Sequence, residues 1–418
     1  MFIKSQKRVE SDFLIYRKVG DYIHFLNCSS GNVQSFESVD GKIIIDNLEN
    51  PDFLKETLSE KDFSFLFNFK KRMKPKELRA SLLELGAEFN FPTTVNIELN
   101  RRCVLRCKHC YIPFSDLNND GTEMFDNFSL KEIRDLFHTL KKMGVFLVVL
   151  TGGEPFLNHN FRNFLNEADK QGYTVEIFSN LQSIPNWFIR SSHKFRINRF
   201  QTSIYSIDSE VHDLVTSKEG ALKNTLKNLR LLRKLGYRVE VASPLMCFNF
   251  ETREKTKDYF AKRHITQSFS WPIVNEYYDG CKGKYMLNIT KDQFLQFVDE
   301  NPEFIMCPDF TDKKHICGAG RLLFSISANG DVFPCSQFPK KMGNIMETSI
   351  EKIMKSRQMC DLACLSPKLI DKSGYIFNFC MGNNYSETGD PLVVPEFLNE
   401  MYKHYENHMQ KKGGENNK

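Results

Sequence analysis

Between Pro92 and about Pro272 the chain alternates two kinds of pattern. Short runs rich in β-branched and aromatic residues read as strands: Thr94–Leu99, Val145–Leu150, Thr174–Phe178, Phe200–Tyr205, Val239–Ala242 and Gln267–Trp271. Between them, Ser129–Met143, Phe161–Gln171, Ala221–Leu235 and Glu251–Arg263 place apolar residues at helical spacing. This alternation is the signature of parallel βα units. Six strands predict an α/β fold with a partial (β/α)6 barrel, because a closed eight-stranded barrel needs more chain than this segment provides.

The flanks read differently. In residues 1–91 two alternating segments, Tyr22–Asn27 and Asn32–Phe36, are joined by Cys28-Ser29-Ser30-Gly31, which predicts a hairpin followed by helices, a small α+β unit. After about Asn288 the βα rhythm stops, six cysteines gather between Cys307 and Cys380, and the chain ends in a polar stretch. The expected organisation is a small domain over 1–91, the barrel over 92–285, a cysteine-rich extension over 286–407 and a solvated tail over 408–418.

A length of 418 residues with 41% hydrophobic content suffices for two or three structural units. The longest strongly apolar run, Met143–Leu150, is strand-sized, and the opening MFIKSQKRVESD holds no continuous apolar stretch. Neither a signal peptide nor a membrane anchor is expected. A cytoplasmic, reducing location follows, in which the twelve cysteines are metal ligands or thiols rather than disulfides. The charge of +5, from 57 basic and 52 acidic residues, is spread along the chain, which argues against nucleic acid. The densest basic run, Lys70 to Lys76, reads as a solvated linker or helix end, with an acidic peptide partner as the other reading.

Cysteine spacing then carries the chemistry. Cys103-Val104-Leu105-Arg106-Cys107-Lys108-His109-Cys110-Tyr111 follows the first barrel strand directly, so three thiolates share one loop at the strand's carboxyl end, where barrel active sites are built. Three cysteines on a four-iron, four-sulfur cube leave one iron open to a substrate. Zinc held by the same cysteines with His109 is the alternative, although the spacing lacks paired two-residue knuckles. The second barrel strand ends in Thr151-Gly152-Gly153-Glu154-Pro155, where two glycines let the backbone approach a ligand and Glu154 offers a carboxylate.

Together, C-x-x-x-C-x-x-C after the first strand and GGEP after the second resemble the radical S-adenosylmethionine (SAM) superfamily, over about residues 92–275. The resemblance implies that Cys103, Cys107 and Cys110 hold a 4Fe-4S cluster whose open iron binds SAM. It also implies that Gly152, Gly153 and Glu154 contact the SAM amino group, and that Ser179, Asn180 and Ser203, at later strand ends, line the cofactor. An electron from the cluster would cleave SAM to methionine and a 5′-deoxyadenosyl radical.

A second resemblance lies in Cys317-Gly-Ala-Gly, Asn329-Gly330-Asp331-Val332-Phe333-Pro334-Cys335, Gly343-Asn344-Ile345 and Cys380-Met381-Gly382, which look like a SPASM extension. It implies auxiliary iron–sulfur ligands among Cys317, Cys335 and Cys380, with Cys307, Cys360 and Cys364 as further candidates. Two clusters of four cysteines need eight ligands and only six are present, so one auxiliary cluster is expected, and a second would need an open iron or another ligand. Cys28, Cys247 and Cys281 are read as structural.

Many enzymes of this type act on ribosomally made peptides through an N-terminal leader-binding domain. The resemblance therefore implies a peptide maturase forming a crosslink, a thioether or an epimerised residue. Its partners would be a precursor peptide and an electron donor such as flavodoxin or ferredoxin. The alternatives are a sulfatase-maturating or haem-pathway radical SAM enzyme and, outside catalysis, an iron–sulfur electron carrier or zinc-stabilised binding protein. No side chain identifies itself as the second catalytic group.

Overall fold

The structure, a computed structural model, describes residues 14–28, 30–67, 75–112, 124–191, 195–273, 284–301, 314–370 and 379–415. Cys281, Cys307 and most of the basic run near Lys70 lie outside the described residues.

The N-terminal part folds into strands β1 (Leu14–Val19), β2 (Tyr22–Asn27) and β3 (Val33–Glu37), then helices α1 (Ser38–Asp46), α2 (Pro51–Thr57), α3 (Glu60–Phe67) and α4 (Pro75–Phe89). The strands are antiparallel in the order β1-β2-β3, and Leu14, Ile23, Phe25, Ile44, Leu54 and Leu66 form their core with the helices. The sequence pattern shows the β2–β3 hairpin but hides β1. LIYRKV breaks alternation at Arg17, a cation that is only 1% exposed. Its guanidinium donates to the carbonyls of Val145 (2.6 Å), Tyr16 (2.7 Å) and Gly172 (2.7 Å) and lies over the rings of Phe146 and Tyr173.

The barrel strands are β4 (Thr94–Glu98), β5 (Leu147–Thr151), β6 (Thr174–Phe178), β7 (Ile197–Ser203), β8 (Val239–Pro244) and β9 (Gln267–Ser270). Between them run α5 (Leu130–Lys142), α6 (Phe161–Lys170), α7 (Asn186–Ser191), α8 (Ser209–Thr216), α9 (Ala221–Lys234) and α10 (Arg253–Ala261). All six strands are parallel, as the βα rhythm requires. Helix α5 shows how locally the sequence specifies its element. Ser129 and Glu132 form a reciprocal capping box, and Ile133, Phe137 and Leu140 recur on its buried face.

After α11 (Lys291–Glu300), strands β10 (Leu323–Ile326), β11 (Asp331–Phe333) and β12 (Gly343–Asn344) extend the same sheet, in the order β12-β11-β10-β4-β5-β6-β7-β8-β9. Because β10 pairs parallel to β4, the cysteine-rich segment is continuous with the barrel at the strand that leads into the Cys103 loop. Helices α12 (Ile350–Met354), α13 (Arg357–Ala363), α14 (Met381–Thr388) and α15 (Glu396–Glu415) complete the chain. The expected solvated tail from His408 is corrected here: α15 runs to Glu415, and His408 Nε2 lies 2.9 Å from Asp299 on α11. Its polar residues hid a helix whose Leu398, Met401 and Tyr402 pack on Phe294 and Phe297. Among the described residues no helix is long and apolar enough to cross a membrane.

The two faces of the barrel sheet differ. Val95, Ile97, Val148, Leu150, Val175, Ile177, Val239 and Val241 join the large core with the surrounding helices. The alternate residues include Glu98, Glu176, Arg199 and Glu240. A parallel sheet covered on both faces is normally apolar on both. Here the inner face carries charges, and three of them pair with one another: Glu176 with Arg199, and Arg199 with Glu240. Helix α4 covers part of that face, with Leu78, Leu82 and Leu85 against Phe146, Leu147 and Val149. Arg79 donates to Glu176 Oε2 at 3.0 Å, Arg199 Nε lies 2.9 Å from the same oxygen as an ion pair, and Asn198 donates to Oε1 at 3.0 Å.

Candidate functional site

The Cys103 loop leaves β4 and is laced to its surroundings by backbone hydrogen bonds. Arg106 N donates to Thr216 O (3.0 Å), Lys108 N to Val215 O (2.9 Å) and Cys110 N to Cys107 O (3.0 Å). Arg102, in an ion pair with Asp126, and Asn158, donating to Leu99 O at 2.8 Å, fix the loop's stem. Cys103, Cys107 and Cys110 all line one cavity of about 340 Å³ at the carboxyl ends of the strands. Thr151, Gly152, Gly153, Phe178, Ser179, Asn180, Gln201 and Ser203 line it as well.

The glycine pair lines this cavity, and its small size is demanded by protein backbone. A Cβ at Gly153 would sit 2.6 Å from Arg101 O and closer still to Arg102 O, and Gly152, at φ +133°, faces Asn100 in the same way. Gly153 N donates to Asn100 O (2.7 Å) and Glu154 N to Arg102 O (2.8 Å), so the second strand's turn is clamped onto the stem of the cysteine loop.

Glu154, expected beside the cofactor, is 3% exposed and does not line the cavity. Its carboxylate accepts from Ser179 Oγ (2.8 Å), Asn180 N (2.9 Å) and Phe156 N (3.2 Å). Burial pushes it up to about 7 against those hydrogen bonds. The carboxylate thus orients the β6 end, and through it Asn180, whose side-chain amide donates to Cys103 Sγ at 3.3 Å.

Burial also pushes Cys103 up to about 11 and Cys107 up to about 12. Tyr205 packs against Cys107, and its ring meets His109 at 5.0 Å. Buried thiols with an amide donor aimed at one of them suit an anionic iron–sulfur group, since such a donor compensates thiolate charge where water cannot.

The second cysteine group is assembled by turns. Gly330, at φ +80°, closes the β10–β11 hairpin, and Gly320 N donates to Pro334 O at 2.8 Å, tying the turn after Cys317 to the residue before Cys335. Cys380 stands close enough to Cys317 and Cys335 to push both thiols up, with burial as the larger cause in each. Cys317 reaches the surface on one side, and Arg321 stands near both it and Cys364. Cys360 lies four residues before Cys364, with its sulfur 3.9 Å from Met354 O, and is not drawn into this group.

Two residues that pattern reading missed, Ser336 and Gln337, follow Cys335 and form a wall of the first cavity. Gln337 Oε1 also accepts from Cys380 Sγ at 3.8 Å. No local periodicity announces them; they reach the cavity because β10 docks on β4.

Comparison with known proteins agrees with this geometry. Residues 97–261 match the radical SAM superfamily and residues 317–381 match SPASM, an iron–sulfur cluster-binding domain. The antilisterial bacteriocin subtilosin biosynthesis protein AlbA of Bacillus subtilis (strain 168) is 29% identical over 287 residues, 64% of this chain. That match spans 61% of AlbA's length. The fold resembles Streptococcus suis SuiB bound to S-adenosylmethionine, with a TM-score of 0.59 and 16% identity over 93% of this chain and 99% of that one. It also resembles anSMEcpe with bound AdoMet, with a TM-score of 0.58 and 16% identity over 77% of this chain and 98% of that one. The cofactors that accompany the two matched families are a 4Fe-4S cluster with SAM and auxiliary iron–sulfur clusters. With both families matched in order along the chain, it belongs to the radical SAM superfamily and carries a SPASM domain.

Proposed function

We propose that the chain cleaves SAM reductively and directs the resulting radical onto a ribosomally made peptide, forming a crosslink, a thioether or an epimerised residue. The observation that carries this reading is the shared cavity: three cysteine thiols, the glycine turn and Ser336-Gln337 of the SPASM segment all line it. Cys103, Cys107 and Cys110 would hold the SAM-binding cluster. Cys317, Cys335, Cys380 and Cys364 would hold an auxiliary one, with Cys307 and Cys360 as further candidates for a second. The cluster and SAM, when bound, supply a carbon radical that takes hydrogen from the substrate.

The chain's own residues position and shield. The raised Cys103 and Cys107 thiols must shed protons on loading. Asn180 then donates to the Cys103 sulfur. Leu105, Ile112, Tyr205 and Ile273 form apolar walls that keep water from a radical.

A peptide substrate is supported by a groove of about 990 Å³ in the N-terminal part, lined by residues of β3, α3 and α4, including Val33, Gln34, Ser35, Phe65, Glu84 and Phe89. β3 is the edge of its sheet among the described residues, so a leader segment could add as a further strand. AlbA is named for the biosynthesis of a bacteriocin, and SuiB has been crystallised with its precursor peptide SuiA.

The test is anaerobic reconstitution followed by assay of reduced enzyme for 5′-deoxyadenosine, with and without co-expressed small peptides encoded nearby, read by mass spectrometry in protium and deuterated water. Loss of two hydrogens indicates a crosslink or thioether; one deuterium gained without other change indicates epimerisation. Alanine at Cys103, Cys107 and Cys110 together should abolish SAM cleavage while iron remains on the SPASM cysteines. Normal cleavage by that triple variant would overturn the assignment.

A further inference from the structure

Reductive cleavage of SAM consumes one electron per event, and no group within the chain generates electrons, so a reduced carrier must supply them, most directly by docking beside the Cys103 loop. Helix α9 presents a surface suited to that encounter. Its sequence, ALKNTLKNLRLLRK, contains five cations and no carboxylate. Lys223, Lys227, Arg230 and Lys234 fall at i, i+4, i+7 and i+11 and are exposed, whereas Leu222, Thr225, Leu229 and Leu232 are buried on the opposite side.

A basic stripe is ordinarily just a solvated face. The position of this one is what distinguishes it. Ala221, the first residue of α9, packs directly against Cys103 and Leu105. At 1.5 Å rise per residue, Lys223 lies about 3 Å along the axis from Ala221 and Lys234 about 20 Å. The stripe thus begins beside the cluster loop and leads away from it. Where it begins, Lys108 of the loop is exposed, and Leu214 of α8 is an apolar residue 50% exposed, next to Val215, whose carbonyl accepts from Lys108 N. The exposed carboxylates of the α8–α9 segment are Glu210, one turn before Leu214, and Glu219. An apolar side chain with exposed cations close by in the fold suits a transient docking patch.

We propose that the α9 stripe, with Lys108 and Leu214, is the docking surface for a small acidic electron carrier of the flavodoxin type. The carrier's reduced flavin loses one electron and the enzyme gains it. Lys223 and Lys227 seat the carrier against the loop, while Arg230 and Lys234 draw it in from farther away. This rests on Cys103, Cys107 and Cys110 being the cluster ligands, and the test separates the two claims.

The test compares full-length enzyme with the variant Lys223→Glu/Lys227→Glu/Arg230→Glu and with a control, Lys131→Glu/Lys352→Glu/Lys403→Glu, which changes net charge equally at scattered exposed positions. 5′-Deoxyadenosine formation is driven either by flavodoxin with its NADPH-dependent reductase or by dithionite, which needs no docking. Binding of oxidised flavodoxin to the reconstituted enzyme is measured by anaerobic calorimetry at low and high salt. The stripe variant should need about tenfold more flavodoxin or worse for half-maximal rate and should lose the salt dependence of binding, since rim charges act mainly on association. Its dithionite-driven rate should match that of the parent, and the control should resemble the parent in every assay. Equal flavodoxin dependence in both triple variants, or no flavodoxin-driven cleavage by the parent enzyme, overturns the docking proposal. Failure of the parent with dithionite overturns the cluster assignment on which it rests.

Discussion

A methyl group at Gly153 would be pressed into the carbonyls of Arg101 and Arg102, at the stem of the cysteine loop. Because the obstacle is backbone rather than a flexible side chain, the loop must move to admit it. Gly153→Ala is expected to cost about 1–3 kcal/mol, as overpacking does, and to displace Cys103 from its partners. The expected measurement is a fall in bound iron of about one cluster, with the SPASM-held iron retained; full iron and normal SAM cleavage would contradict it. The same residues show what sequence reading can reach. Glycines at this turn were legible as sites of close approach, but the sequence pointed to a ligand, whereas the approaching group includes backbone only fifty residues away along the chain. Glu154 was legible as a buried-mouth carboxylate, yet its partners, Ser179 and Asn180, arrive from the next strand, and pairings of that kind are set by sheet register rather than by local pattern.

Among the elements, the parallel strands and their helices were legible because each obeys one period: two along β6 and three to four along α5. β1 and α15 were not, because one buries a cation in the middle of a strand and the other buries only a narrow stripe of a polar helix. Strand β2 carries a comparable irregularity in His24, which is fully buried, stacks on Phe91 and edges Phe89, and has its Nδ1 2.8 Å from Ser35 Oγ. Burial depresses it from 6.5 to about 4. In the unfolded chain the ring takes up a proton near pH 6.5, while the folded chain resists until about pH 4, so over that window the unfolded state binds more protons. Stability from this residue is therefore full above pH 6.5 and is lost progressively as pH falls toward 4. Thermal melts of the parent should show that acid loss, and His24→Phe, which keeps the aromatic packing without a titrating ring, should flatten it. An unchanged slope in the variant would locate the acid sensitivity elsewhere.

For the molecule as a whole, the decisive fact is that the small N-terminal sheet and the barrel share structure. Arg17 seals carbonyls at the start of β5 and β6, at the end of the barrel opposite the cysteine cavity. Helix α4 lends Glu84, Leu85, Glu88 and Phe89 to the groove beside β3 while its Leu78, Leu82 and Leu85 cover the inner sheet face. Arg79 of the same helix pairs with Glu176, and both Arg79 and Arg199 flank Phe178, which lines the cavity. The boundary expected at residue 91 therefore cuts through a shared core. A chain beginning at Pro92 would uncover Phe146, Leu147 and Val149 and leave Glu176 without Arg79. Three buried leucines contribute about 1.5–3 kcal/mol each, a sum comparable with the whole stability of a domain, about 5–15 kcal/mol. That chain is expected to be aggregation-prone and without a cooperative melt. A chain beginning at Pro75 retains α4, so it should melt cooperatively at a reduced temperature, load its clusters and cleave SAM in the absence of peptide. It should nevertheless fail on a precursor peptide that the full chain modifies, because β3 and α3 are gone. If both truncations melt like the full chain, α4 is not a structural part of the barrel; if the Pro75 chain modifies the peptide as well as the full chain does, the groove beside β3 is not where the leader binds.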